Sequence, residues 1–315
     1  MVSSTKRRIL PVRHAPAVLR PAAFRRPRLL IVGCGDVGLR VARAVAAHWR
    51  VRALSSSPER RDTLRTAGVK PIAGNLDEPR SLTRLRALAP WVMHLAPPPG
   101  HGATDPRTAA LLAVLARGGA LRRLVYASTS GVYGDAQGQR FDESRPTAPA
   151  TDRARRRVDA EQRVRAWALA SGSRSMILRV PGIYAIDRPG GHPGERIRRG
   201  TPVLATQDDV HTNHIHADDL ACIALAALLR GSSQRIYHAS DDTELLMGDY
   251  FDLAAELCGL PAPPRVTRAQ AQQVMRPVQL SFMSESRRLI NQRMKQELRV
   301  RLHYPTVREG LRGGS

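Results

Sequence analysis

The chain has 315 residues, 42% hydrophobic but only 4% aromatic, enough for one large α/β domain with a small lobe and a core of Leu, Val and Ala. Three scattered cysteines, Cys34, Cys222 and Cys258, exclude a disulfide framework and fit a reducing, cytoplasmic compartment; no apolar run nears the roughly 20 residues of a membrane span. The formal charge is +23, carried by arginine with lysine only at Lys6, Lys70 and Lys295, and no basic run is interleaved with aromatics, so no specific nucleic-acid site is expected.

Residues 1–28 hold basic side chains and prolines but no acid and no apolar stretch of the secretory kind. They are expected to form a disordered basic tail. At Leu29-Leu30-Ile31-Val32 the pattern changes to a buried strand, which runs directly into Gly33-Cys34-Gly35-Asp36-Val37-Gly38. Apolar residues at helical spacing follow from Leu39. This is G-x-G-x-x-G between a strand and a helix, the context in which the motif binds a dinucleotide. Gly33 allows a tight turn, Gly35 lets a pyrophosphate approach the backbone, and Gly38 lets the helix pack close to the strand. The helix N-terminus offers free N–H groups to the phosphates.

A second strand over 50–54 ends in Ser55-Ser56-Ser57-Pro58-Glu59-Arg60-Arg61. NAD enzymes place an acid near this strand end to hold the ribose hydroxyls; an arginine there accommodates a 2′-phosphate. Ser55 stands where the acid would be, and Arg60 and Arg61 follow, so NADP is preferred over NAD. A third strand over 69–73 leads to Gly74-Asn75-Leu76-Asp77 and a helix over 79–88. The fourth, over 91–95, ends in Ala96-Pro97-Pro98-Pro99, a stiff loop at the sheet edge where ligands of doubly wound sheets bind. Asn75, Leu76, Leu95, Ala96 and Pro97 are therefore expected against the cofactor, as is Pro181 after a later strand. His94 and His101 suit loop or capping roles better than catalysis. A helix over 105–117 precedes strand five at 123–127, which opens onto Ser128-Thr129-Ser130-Gly131-Val132-Tyr133-Gly134. Hydroxyls grouped at that strand end suit hydrogen bonding to a substrate oxygen.

With these pieces in order, the sequence resembles the extended short-chain dehydrogenase/reductase superfamily, the NAD-dependent epimerase/dehydratase group. The further matches are Phe141-Asp142-Glu143 with Pro146 and Pro149, Leu178-Arg179-Val180-Pro181-Gly182-Ile183-Tyr184, and Asn213-His214-Ile215-His216-Ala217-Asp218-Asp219-Leu220-Ala221. It is most similar to an atypical branch, typified by the bacterial YeeZ protein, in the loop from His94 to Pro99, the tail Ser284-Glu285-Ser286-Arg287-Arg288-Leu289-Ile290-Asn291 and Tyr304-Pro305-Thr306. The resemblance implies a Rossmann-type doubly wound parallel sheet over 29–180 and a smaller C-terminal α/β substrate lobe over 181–315. A strand at 234–239 is expected to return to the main sheet. A monomer or homodimer acting on a small, sugar-like molecule is implied.

Superfamily enzymes carry Tyr-x-x-x-Lys on the helix after strand five, the Tyr moving a proton and the Lys holding the ribose. That helix here contains Arg153-Ala154-Arg155-Arg156-Arg157-Val158-Asp159-Ala160-Glu161. Family enzymes commonly place a Glu four residues after the Lys. Setting Glu161 there puts Arg157 at the Lys position and Arg153 at the Tyr position. Arginine stays protonated, so Arg153 cannot shuttle a proton, whereas Arg157 can hold the ribose. Thr129 matches the family's substrate-orienting hydroxyl, and Tyr133 and Tyr184 are candidates for a displaced acid. The run His211, His214, His216 with Asp218 looks like a metal box, but strand alternation sets His211 apart from the other two. No metal is expected, and Asp218 is expected to cap a helix. Two functions remain open: an NAD(P)-dependent oxidoreductase or epimerase/dehydratase, and a non-catalytic NAD(P)-binding sensor or scaffold.

Overall fold

The structure, a computed structural model, describes residues 26–312; the expected tail over 1–28 lies almost wholly outside them. The first half runs β1 (Arg28–Val32), α1 (Asp36–Val45), β2 (Arg50–Ser55), α2 (Arg61–Thr66), β3 (Lys70–Ala73), β4 (Trp91–His94), α3 (Pro106–Ala116), β5 (Arg123–Thr129) and β6 (Arg140–Phe141). It continues through α4 (Asp152–Ser171), β7 (Arg174–Val180), β8 (Gly182–Tyr184), α5 (Pro193–Arg198), β9 (Val203–Leu204), β10 (His211–Thr212), β11 (His214–His216), α6 (Ala217–Arg230) and β12 (Arg235–His238). The last stretch holds β13 (Leu245–Leu246), α7 (Met247–Cys258), β14 (Arg265–Val266), α8 (Arg268–Val274), α9 (Pro277–Phe282), β15 (Arg288–Leu289), α10 (Gln292–Leu298) and α11 (Val307–Arg312).

Among the described residues seven strands form one parallel sheet in the order β12-β7-β5-β4-β1-β2-β3. The central strand β1 is apolar on both faces, because Leu29, Leu30, Ile31 and Val32 are each 0% exposed. A parallel strand covered on both sides needs such a continuous run. Helices α1, α6 and α10 cover one face, and α3 and α4 the other. The chain leaves β1 toward β2 and β3, then returns to build β4, β5 and β7 on the opposite side. The order therefore reverses between β1 and β4, and a crevice opens at their carboxyl ends.

Two local expectations change. The span expected as a helix over 79–88 is a shorter 3-10 helix, Pro79–Leu85, and Ala87, at φ 51°, takes a dihedral that a right-handed helix cannot continue through. The cap of α6 is His216 and not Asp218: its Nδ1 accepts from the Asp218 amide at 3.3 Å, leaving the Asp218 carboxylate to Arg40 at 2.5 Å. Beyond β7 the chain contributes to both parts of the molecule. Strand β12 joins the main sheet, while Tyr184, Val203, Tyr250, Phe251, Val307 and others form a separate apolar core over the sheet's carboxyl edge.

Candidate functional site

The glycine loop is built around an approach of two strand ends. The amides of Leu95 and Ala96 donate to the Val32 carbonyl at 2.8 and 3.1 Å, drawing the loop after β4 onto the end of β1. Gly33 has φ +85°, and a Cβ there would lie 2.3 Å from the Ala96 nitrogen. Only glycine fits both the dihedral and the contact. A Cβ on Gly38 would stand 3.3 Å from Ile31 and from Cys34 Sγ, so this glycine sets the spacing of α1 on β1. A Cβ on Gly35 meets no protein atom within 4 Å. The space over Gly35, at the N-terminus of α1, is thus open to a ligand and to the free amides of the first turn.

Around that loop lies a cavity of about 330 Å³ whose wall includes Gly33, Cys34, Ser55, Arg60, Asn75, Leu76, Ala96 and Pro97. Arg60 donates from Nη2 to the Cys34 carbonyl at 2.8 Å, which holds its guanidinium beside the loop. Burial, opposed by the Arg60 charge, pushes the Cys34 thiol up to about 11, so it stays protonated and inert at neutral pH. Arg61, expected beside Arg60, is instead exposed at the start of α2, away from the cavity wall. Asp36 sits in the first turn of α1 and pairs with Arg40 at 3.2 Å and Arg188 at 2.8 Å. Val37 and Leu95 pack against the core beneath. The sequence missed Arg107, which donates to both Asp77 oxygens at 2.7 and 2.6 Å and closes one side of the cavity. Its partner is 30 residues away, so no local pattern marks the pair.

A second cavity, of about 260 Å³, opens at the end of β5 and includes Thr129, Arg153, Pro181 and His214 in its wall. Thr129 ends the strand, and its hydroxyl accepts from the Gly131 amide at 3.3 Å. Just before it, Ser128 donates to Glu161 Oε1 at 2.5 Å, and Glu161 receives Nε and Nη2 of Arg179 at 3.1 and 2.7 Å. This buried network ties α4 to β5 and β7 and places the face of α4 that carries Arg153 and Arg157. Arg157 donates from Nη1 to the Ala127 carbonyl at 2.7 Å and to the Tyr126 hydroxyl at 3.1 Å, two residues before Thr129. The tail segment braces the other side: the Ser286 carbonyl accepts from the Ala136 and Gly138 amides at 3.1 Å, and Arg287 donates to the Gly134 carbonyl at 2.8 Å.

Tyr133 is not brought to this cavity. It is 0% exposed, and its hydroxyl lies 2.6 Å from His238 Nε2. His238 Nδ1 is 2.9 Å from the Ile290 carbonyl, which can only accept, so Nδ1 carries the proton and Tyr133 donates to Nε2. Burial, opposed by Arg179, holds the Tyr133 hydroxyl up at about 12, and burial holds His238 down at about 3. Tyr184 is also buried, its hydroxyl donating to the Thr306 carbonyl at 3.3 Å. His94 is a core residue: Thr108 gives its proton to Asp105 at 2.7 Å, so His94 Nε2 donates to Thr108 at 2.8 Å, and burial with the Arg157 charge holds the ring at about 3. His101 is exposed. Of the suspected metal run, His214 stacks on Tyr250 at 3.9 Å while His216 caps α6.

Residues 29–239 match the NAD dependent epimerase/dehydratase family. A functionally unknown conserved protein from Silicibacter pomeroyi is 31% identical, with a TM-score of 0.76, the match covering 91% of this chain and 97% of that one. UDP-glucose 4-epimerase from Thermotoga maritima, solved with UDP-glucose, is 17% identical with a TM-score of 0.76, covering 90% and 96%. A dTDP-glucose 4,6-dehydratase from Streptomyces venezuelae, solved with NAD bound, is 22% identical with a TM-score of 0.73, covering 90% and 94%. No curated protein matches the chain.

Proposed function

The chain belongs to the NAD dependent epimerase/dehydratase family, and from that premise we propose that it is an NAD(P)-dependent oxidoreductase or epimerase/dehydratase acting on a small, sugar-like substrate. The observation that carries this is the juxtaposition of two cavities at the carboxyl edge of one sheet. One surrounds an open glycine cradle; the other begins at Thr129 and Pro181. The expected division into a cofactor half (29–180) and a substrate lobe (181–315), the atypical YeeZ-like branch, a cytoplasmic location and a monomeric or homodimeric state go with the proposal.

The residues fit a dinucleotide. The amides at the start of α1 would take the pyrophosphate over Gly35. Asn75, Leu76, Ala96 and Pro97 would flank the adenosine half. No acid stands at the end of β2, and Arg60 is held beside the loop, so a 2′-phosphate would find a cation there. That favours NADP over NAD. Arg157 would hold the ribose hydroxyls on the N–H groups it does not spend on Ala127 and Tyr126. A bound nicotinamide would supply hydride exchange. Thr129 would hydrogen-bond and orient the substrate oxygen, and the aromatic walls of the second cavity would exclude water. The alternative, a non-catalytic NAD(P)-binding sensor or scaffold, is favoured by one observation: α4 presents Arg153 to the cavity where the family's proton-moving Tyr would stand. Isothermal titration with NADPH and NADH tests the cofactor half. NADPH is expected to bind more tightly, and equal affinity or a preference for NADH would remove Arg60 from its role. Substrate-dependent exchange of label from deuterated NADPH separates enzyme from sensor.

A further inference from the structure

The second cavity carries charge that the fold does not use. Arg153, Arg196 and Arg287 line it against a single carboxylate, Glu285. Glu285 is engaged by Arg287 at 2.5 Å, which leaves the guanidinium groups of Arg153 and Arg196 uncompensated. Among the described residues neither Arg153 nor Arg196 has an ion-pair partner. Both are stacked: Arg153 lies 4.2 Å from the Phe282 ring centroid and Arg196 lies 4.3 Å from that of Phe251. Stacking occupies the faces of a guanidinium and leaves its N–H edges free. Arg196 Nη2 reaches the Pro202 carbonyl at 3.3 Å, but its Nε is buried with no hydrogen-bond partner. His214, 6% exposed, also has its Nδ1 buried without a partner. Buried polar groups of this kind are nearly always satisfied in native proteins, so Arg196 and His214 retain hydrogen-bonding capacity that the protein itself does not use.

We propose that this cavity binds a small organic anion, a carboxylate or a phosphate ester, whose charged group is gripped by Arg153 and Arg196 beside Thr129. The chemistry fits: planar guanidinium edges pair with carboxylate and phosphate oxygens in two-bond forks. The space fits as well. About 260 Å³ lies just under the roughly 300–1,000 Å³ of pockets for drug-sized ligands, so the occupant is small. The anion also gives Arg153 a purpose. Where a tyrosine would meet a neutral hydroxyl, an arginine meets a negative charge. This assignment rests on the second cavity being the substrate site of the proposed function.

The test uses the full chain saturated with NADPH, titrated calorimetrically with tartrate, glucose 1-phosphate and neutral glucose. At least one of the two anions is expected to bind, and glucose is not. Binding of tartrate alone identifies a carboxylate ligand, and binding of glucose 1-phosphate alone a phosphate ester. Arg153→Met and Arg196→Met should each weaken the anion by about tenfold or more, the scale of a charge-assisted hydrogen bond, while the NADPH titration is unchanged. Arg153→Lys, which keeps the charge, should retain part of the affinity. The assignment is overturned if glucose binds as well as the anions, if neither Met variant alters anion affinity, or if NADPH saturation abolishes anion binding, since the anion then sat on the glycine loop. Should the wild-type chain fail to bind NADPH, the proposed function falls, and the same anion series on the cofactor-free chain still decides the cavity.

Discussion

Glu161 offers the sharpest test of how this site is held. Its side chain is 6% exposed and that of Arg179 is 4% exposed, with two hydrogen bonds between them and a third from Ser128. Burial disfavours the charge on Arg179, but the Glu161 bonds and charge outweigh it and leave the guanidinium pKa above its usual value. Replacing Glu161 by Gln removes the carboxylate and strands Arg179 as a charge in a low-dielectric core, 4.6 Å from the Tyr133 ring centroid. Breaking one side of a buried pair costs about 3–5 kcal/mol. For a domain of this size that corresponds to a fall in Tm of about 6–20 °C at roughly 2–4 °C per kcal/mol. Urea unfolding followed by circular dichroism measures the change directly. The double variant Glu161→Leu with Arg179→Met removes both charges and should recover most of the loss, because a buried pair and its apolar replacement are often close in energy. A single-variant cost below about 1 kcal/mol, or a double variant no better than the single, would show that the pair is not what fixes α4 against β5.

The remaining expectations concern the cofactor and acid stability. Arg157→Ala should weaken NADPH by about 1.5–3 kcal/mol, the size of a hydrogen bond to a charged group, and Arg153→Ala by much less; an unchanged titration with Arg157→Ala removes that residue from the site. Gly35→Ala should leave the melting temperature near wild type yet weaken NADPH, since its Cβ enters only the open cradle, whereas Gly33→Ala should destabilise the fold through its 2.3 Å clash with Ala96. Wild-type affinity in Gly35→Ala would refute the cradle. His94, His214 and His238 are each held by burial at about 3, so each stays neutral in the fold and takes up a proton on unfolding below its unfolded value of about 6.5. Their stabilisation is complete above pH about 6.5 and is lost as pH falls toward about 3. The three histidines together contribute up to about 4 kcal/mol per pH unit, and Asp241, raised by burial, works in the opposite sense, so the unfolding free energy from urea titrations should fall between pH about 6 and 5, and a flat profile would contradict it.

Much of the fold was legible because its central strands are buried on both faces and its first βαβ unit carries glycines with separate steric jobs. Leu29 to Val32 could not be a surface strand, and Gly33, Gly35 and Gly38 fixed where the helix began. What the sequence did not show was the reason for Gly33: its hydrogen is in contact with a backbone 63 residues on, and a tight turn alone would not have identified Ala96. The early end of the helix at Leu85 escaped for a related reason, since the positive φ of Ala87 carries no residue signature such as glycine. Asp218 had the composition of a cap, but the histidine two residues earlier took the amide and freed the carboxylate for Arg40 on the opposing helix.

The candidate site divides along the same line between local and distant causes. Ser55, Arg60, Asn75, Leu76, Ala96 and Pro97 follow strand ends, and topology alone brings strand ends of a parallel sheet together. Arg61 fails the same logic because a short 3-10 turn, Pro58–Arg60, rotates the next residue away. Tyr133 was a candidate by proximity in sequence to Thr129, yet four residues of 3-10 helix carry it under the sheet edge to His238. Arg153 and Arg157 stood out in sequence only by what they were not. Their position is set by Glu161, one and two helical turns on, which is anchored to Ser128 and Arg179. If that anchor holds, Arg153 is kept facing a cavity with uncompensated positive charge, the surroundings that the proposed anion would meet.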